Sequence, residues 1–155
     1  MKRYISYKEE KYYTCMLKII SAIGGRKLKY NWLITDIEAY PIEDNNLNRL
    51  INENKYLILS NDKFLDLLEE DDFQWIWGVF SAIPEKYSTK QILQYNLPYA
   101  NGNTNIYKDN NYIIQHPLAE IEIVAEDSSS VFIVSKNDKI AELFKKTYPN
   151  SRENY

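Results

Sequence analysis

The chain has one histidine and one cysteine in 155 residues, and that scarcity excludes more chemistry than anything present invites. A zinc site draws three or four ligands from His, Cys and acidic side chains, and a nucleophile–base pair ordinarily sets a His beside a Ser or Cys. His116 stands directly before Pro117, which holds it out of helical geometry. A structural role where loop meets strand is expected of it, with a lone general base as the alternative. Cys15, beside the apolar Met16 and Leu17, is expected to be a half-buried, inert thiol. One cysteine also forbids an intrachain disulfide. The four glycines, Gly24, Gly25, Gly78 and Gly102, make no glycine-rich phosphate loop. The longest apolar runs, such as Tyr56-Leu57-Ile58-Leu59, fall far short of the ~20 residues of a membrane span. Lys8, Glu9, Glu10 and Lys11 interrupt the N-terminal region before any leader-like stretch develops. These absences predict a protein that binds rather than catalyses, holds no metal or cofactor, and resides in a reducing cytoplasm away from membranes.

What is present is ordinary in bulk and uneven in detail. Apolar residues at 45% and charged residues at 26% suit a soluble globular fold, and the length suits one domain over 1–155. Net charge is −3, yet residues 1–30 carry a balance of +6, residues 31–75 a balance of −8 and residues 76–155 a balance of −1. An acidic middle argues against nucleic acid as direct ligand, because phosphates call for clustered Lys and Arg. It suits a basic protein partner, whose encounter would be sped by complementary charge; a solvated coat on helix faces is the plainer alternative.

Along the chain, residues 4–7 read as a short strand. From 9 to 23, apolar side chains at Tyr13, Met16, Leu17, Ile20 and Ile23 recur at helical spacing, and Gly24-Gly25 supplies the stop. Residues 31–36 read as a strand, and Asp44 as the cap of a short helix burying Leu47, Leu50 and Ile51. A buried strand at 56–59 runs through Ser60-Asn61-Asp62 into a helix with Phe64, Leu65, Leu67 and Leu68 inside, ending in Glu69-Glu70-Asp71-Asp72. Residues 73–83 form the most hydrophobic strand, and Ser88 caps a helix over 89–95. Residues 96–116 are the one long loop, expected to be flexible. A hairpin of 119–125 with 131–135 and a helix over 138–147 close the chain. The Asn-Asp-Lys that opens the helices at 61–63 and 137–139 reads as one local solution used twice, not as a repeat array.

Three constellations invite a functional reading. Phe73, Trp75, Trp77 and Val79 alternate onto one strand face; a core role is expected, and an exposed aromatic platform is the alternative. Glu120 and Glu122 also share a face. Paired carboxylates can hold a divalent ion or act as acid and base, but the pattern is also that of a solvated strand face, which is the expectation here. Fourteen tyrosines accompany sixteen asparagines, and Tyr95, Tyr99, Tyr107 and Tyr112 bracket the long loop. Tyr among Asn is the material of adaptable protein-binding loops.

The runs Tyr30-Asn31-Trp32-Leu33-Ile34, Trp75-Ile76-Trp77-Gly78-Val79-Phe80-Ser81-Ala82-Ile83-Pro84 and Pro117-Leu118-Ala119-Glu120-Ile121-Glu122-Ile123-Val124-Ala125-Glu126-Asp127-Ser128-Ser129, with 144–149, resemble those of small bacterial proteins akin to the immunity proteins of polymorphic toxin systems. The resemblance carries no catalytic residues. It implies a protein that neutralises a toxin domain, such as a nuclease, by blocking its active site; a monomer or weak dimer is expected because neither metal ligands nor a disulfide is present. The partner surface would be Asp66, Glu69, Glu70, Asp71 and Asp72 standing in for phosphates, with Tyr99, Tyr107 and Tyr112 as anchors. The alternative is a small-molecule-binding or sensing domain with a pocket lined by Trp75 and Trp77. The expected fold is a single α+β domain: a mixed sheet of five or six strands packed by helices, with a C-terminal hairpin and a closing helix.

Overall fold

A computed structural model describes residues 1–6, 14–41, 45–108 and 113–153. The strands are β1 (Lys2–Ser6), β2 (Tyr30–Ala39), β3 (Leu57–Ser60), β4 (Trp75–Pro84), β5 (Ile121–Glu126) and β6 (Ser130–Ser135). They form one sheet in the order β1-β6-β5-β4-β2-β3. Every pairing is antiparallel, so the α+β class holds while the expected mixture of parallel and antiparallel strands does not. Connections to an antiparallel neighbour join β2 to β3, β4 to β5 and β5 to β6. Those from β1 to β2 and from β3 to β4 pass through the helices Met16–Ile23 and Asn61–Glu70 to strands of the same direction that are not neighbours in the sheet, so no two adjacent strands are parallel.

The helices α1 (Met16–Ile23), α2 (Asn46–Glu53), α3 (Asn61–Glu70) and α5 (Asp138–Thr147) gather on one side of the sheet, while the short α4 (Thr89–Ile92) belongs to the β4–β5 connection. Alternation along the strands sends Tyr4, Trp32, Ile34, Phe80, Ile121, Ile123, Val131 and Ile133 to the helix side, where they meet Met16, Ile20, Phe64, Leu67 and Phe144 in one buried cluster. The opposite face buries two smaller clusters, one of Ile5, Val79, Val124 and Phe132 with Ala100, the other of Leu33 and Ile83 with Ile92 and Ala119. Ala100, Ile92 and Ala119 come from residues 85–108 and 113–120, the described parts of the β4–β5 connection, which lie over this second face.

Local signals account for the helix ends. The pattern expected over 9–23 delivers α1 only from Met16; residues 7–13 lie outside the described residues, and Cys15 is a half-buried bridge partner of Gln74. Gly24 stops this helix at φ 143°, and a Cβ there would approach Leu28 Cδ2 to 2.9 Å. Asn45 caps α2, its side chain accepting from the Asn48 amide at 2.9 Å; the expected cap, Asp44, lies outside the described residues. Ser60 caps α3, Ser88 and Gln91 form a capping box on α4, and Asn137 caps α5.

β4 departs from simple alternation. Its register against β2 shifts so that Trp75 faces Ala39 and Trp77 faces Glu38, with a further irregularity between Thr35 and Glu38. Trp75 therefore turns into the helix-side core, edge-on to Phe80 at 4.9 Å, while Trp77 packs half-buried on the opposite face. The two indoles do not share a face. Gly78 makes the arrangement possible: a Cβ there would lie 3.0 Å from the Phe80 ring and 3.4 Å from that of Trp75. β3, read as a buried strand, is an edge strand with only Leu57 fully covered.

Candidate functional site

The residues singled out as a partner surface are placed on both sides of the sheet. α3 lies in the helix layer, whereas Tyr99 and Tyr107 belong to the segment on the opposite face, so the acidic run and the loop tyrosines do not meet. Tyr99 is half-exposed at 51%. Tyr107 is only partly exposed, its ring edge-on to Phe132 at 6.3 Å. Tyr112 lies outside the described residues.

The acidic run is largely engaged within the chain. One guanidinium nitrogen of Arg26 donates to Asp66 at 2.9 Å and to Glu69 at 2.8 Å. Asp71 accepts from the Asn45 side chain at 2.8 Å, and Glu70 is exposed. Asp72 accepts from the Leu17 amide at 3.3 Å and, because burial penalises its charged form, titrates at about 6. That amide is one of the orphan donors in the first turn of α1, and Cys15 at the cap position supplies no side-chain bond. Asp72 thus caps α1 from another element, a task invisible in the linear charge pattern.

The second surprise is Glu122. The alternation with Ile121 and Ile123 makes it look solvated, yet it is 2% exposed, because Gln115 and its described neighbours in the β4–β5 connection cover that face. Glu120, just before β5, is partly exposed and accepts from the Tyr30 hydroxyl at 2.8 Å. The Glu122 carboxylate accepts from the Gln115 amide at 3.0 Å, the Gln115 side-chain amide at 3.2 Å and the Ser81 hydroxyl at 3.3 Å. Burial outweighs these bonds and pushes its pKa up to about 7. The Gln115 carbonyl oxygen in turn accepts from the Tyr99 amide and the Asn103 side chain, both at 3.1 Å. One buried carboxyl therefore ties both arms of the covering segment to the sheet.

Two further groups pin that segment. Asp36 sits in the left-handed region at φ 50°, within the β2 irregularity, and its carboxylate accepts from the Ala100 and Asn101 amides, both at 2.7 Å. A non-glycine residue holds such a backbone only where its surroundings over-determine it. His116 is fully buried. Its Nδ1 accepts from the Leu118 amide at 3.3 Å, so Nε2 carries the proton and faces the Ile92 carbonyl at 3.1 Å. Burial lowers its pKa. Both nitrogens are used in the fold, as the structural reading of this residue expects.

Between the segment and the sheet lies a cleft of about 210 Å³. In-register pairing makes its floor: Arg3 faces Val134, Val134 faces Glu122, and Glu122 faces Ser81. Val124 and Phe132 lie one pleat along, and Asn103, Ile106 and Ile113 close over the top. Arg3 is 3% exposed, with its guanidinium 5.2 Å from the Phe132 ring centre and one Nη1–H directed at the Lys108 carbonyl at 3.3 Å. Trp75 and Trp77 do not line this cleft. Among the described residues no group of three His, Cys, Asp or Glu side chains could hold a metal ion, and no helix is long and apolar enough to cross a membrane. Tyr99 and His116 are singled out by the sequence, whereas Arg3, Asp36 and Gln115 are not, because their parts depend on pairings made across the sheet. No known family model, curated protein or solved structure matches this chain.

Proposed function

We propose that this is a non-catalytic protein that binds another protein through the segment-covered face of its sheet. One observation carries the reading. Eight large apolar side chains are exposed among the described residues; four of them, Leu93, Tyr95, Leu97 and Tyr99, fall at alternate positions of one short stretch of the covering segment, and Ile113 lies further along it. Isolated exposed apolar residues are normal, but a concentration rich in tyrosine has the composition of interface anchors. Hydrogen bonds from the Tyr99 backbone to Gln115, and from Gln115 to Glu122, hold part of this stretch in place, which reduces the entropy lost on docking. An immunity protein that caps a toxin domain in the bacterial cytoplasm is the specific form of this reading. The contact surface then centres on Tyr95 and Tyr99 rather than on the acidic run, whose Asp66, Glu69, Asp71 and Asp72 already serve the fold.

The test is association with the toxin domain encoded beside this chain, followed by surface-based kinetics. Replacing Tyr99 by Ala is expected to weaken binding by roughly ten-fold or more, in the range of an interface hot spot, with the melting temperature unchanged. Glu70→Gln, at the exposed acid of the run, is expected to alter only the salt dependence of the on-rate. Wild-type affinity in Tyr95→Ala and Tyr99→Ala together would remove this face from the interface. Absence of binding by the wild-type chain would remove the toxin as partner.

A further inference from the structure

We infer that the groove where β2 begins and β4 ends is a binding site for a phosphorylated sugar, its phosphate held by Lys27, Lys29 and Lys86 and its hydroxyls by Glu85 and Glu120. The groove shares no lining residue with the cleft under the covering segment, and the site does not depend on the protein-partner reading. Register fixes its position. Tyr30 pairs with Pro84 at one end of the ladder between β2 and β4, so Lys29 and Glu85, the next residues on each strand, flank the point where pairing stops. Lys27 ends the 3-10 turn Gly25–Lys27 that precedes β2, and Lys86 follows Glu85 in the turn after β4. Leu28 and Ile140, both part of the helix-side core, join Pro84 in an apolar wall. The groove measures about 490 Å³, within the ~300–1,000 Å³ of small-molecule sites. Every lining residue, and its neighbours in the chain, is among the described residues.

The class of ligand follows from the two signs of charge in the lining. Lys27, Lys29 and Glu85 are exposed, and among the described residues their side chains make no hydrogen bond or ion pair. Lys86 lies over the Tyr87 ring at 5.1 Å, a contact that leaves its charge intact. A bare anion is attracted by the three ammonium groups and repelled by the two carboxylates, and a cation meets the reverse. A phosphate ester of a polyol satisfies both sets. Its phosphoryl oxygens accept from the lysines, and its hydroxyls donate to the carboxylates, which only accept when ionised. Glu120 is already oriented for this. Its Oε2 accepts from the Tyr30 hydroxyl at 2.8 Å, and burial, together with that bond, pushes the Tyr30 pKa up to about 12. The phenol therefore stays protonated and holds the carboxylate from one side, while Oε1 has no bond among the described residues. The C–H face of a sugar ring is apolar enough to lie on Leu28, Pro84 and Ile140.

The experiment is a titration of the whole chain, followed by amide chemical shifts and calorimetry, with α-glucose 1-phosphate and AMP as probes. Neither is a reducing sugar, so the lysines are not modified. Methyl α-glucoside and adenosine are the phosphate-free counterparts, and inorganic phosphate is the sugar-free one. At least one probe is expected to bind and to shift the amides of residues 27–30, 85–87 and 120. Its phosphate-free counterpart should bind at least about ten-fold more weakly, the range of lost charge-assisted bonds, and so should inorganic phosphate. Lys27→Gln combined with Lys29→Gln should weaken the probe by a similar factor and leave the melting temperature unchanged, since both side chains are exposed. Glu85→Ala tests the hydroxyl contact. It should weaken the sugar phosphate yet strengthen inorganic phosphate, for which it removes only a repelling charge. Failure of both probes to bind, or unchanged probe binding in the double lysine variant, would overturn the site. A phosphate-free counterpart that binds as tightly as its probe would overturn the phosphate assignment. Inorganic phosphate binding as tightly as the probe, or Glu85→Ala strengthening both, would overturn the sugar assignment. None of these results bears on toxin association, which is measured separately.

Discussion

Trp75 and Trp77, two positions apart in one strand, occupy environments so different that their substitutions should be easily told apart. Trp75 is wholly buried beside Phe80 and over Gly78, so Trp75→Ala opens a cavity expected to cost about 3–5 kcal/mol in urea denaturation. Trp77 is half-buried on the other face, and its truncation should cost clearly less. The sequence announces two core tryptophans but not the register shift that separates them, because a bulge depends on what the partner strand does. Glu122 supports a second measurement. In the unfolded chain its carboxyl titrates near the ordinary 4.5, and in the fold at about 7. Folding therefore takes up a proton between those values. The stability that this provides is complete below 4.5 and is lost as pH rises through 7, by on the order of 3 kcal/mol as an upper value. Asp72 acts in the same sense over its own window, from 3.8 to about 6, while His116, lowered from 6.5, acts in the opposite sense as pH falls. Between pH 6.5 and 8.5 the slope belongs mainly to Glu122. The unfolding free energy of wild type should fall across that range, and that of Glu122→Gln should stay nearly flat; parallel slopes would show that Glu122 is not the titrating group.

Elements whose signals are local were the ones the sequence disclosed. α5 is expected over 138–147 and found there, and the leucines and Phe64 of α3 are buried as their spacing requires. The repeated Asn-Asp-Lys proves to be local chemistry indeed, with a difference of detail. Ser60 caps the first helix and Asn137 the second, so one inserted residue changes which side chain does the capping. The end of α3 shows the converse. Four consecutive acids resemble a solvated or partner-seeking run, and nothing in the linear order shows that the last of them reaches the start of α1. Asp72→Ala should accordingly destabilise the protein by about 1–2 kcal/mol, the usual worth of a cap, and Asp72→Asn should restore part of it. Thermal or urea melts of the pair would check this; an Ala variant as stable as wild type would show that α1 needs no such cap. The covering segment was equally opaque. Its Asn, Tyr and Gly residues read as a loop; the described part is irregular apart from a 3-10 turn at Thr104–Tyr107, and its attachment through Asp36, Gln115 and Glu122 is written in residues distant from one another along the chain.

At the scale of the molecule, the α+β class and a sheet of five or six strands follow from pattern, and six are found, while the strand order does not follow, since it joins the first strand to the last. β1 pairs along its length with β6, and Ile5 also exchanges backbone bonds with Arg152 at 2.8 Å in each direction. The cleft floor runs across that junction, with Arg3 contributed by one strand and Val134 by the other. During synthesis on a ribosome, Arg3 emerges early and has no sheet to join until residues 130–135 have followed it out. The three central strands can collapse with α1 and α3 beforehand, leaving the β5 edge briefly open. Contacts so far apart in the chain slow folding, because the loop must close before pairing can reward it. The arginine at the cleft is consequently among the last groups to be installed, and a chain that has not finished folding carries an incomplete floor. The cleft is therefore complete only in the finished fold, so the order of assembly leaves it open-sided until the last strand is placed.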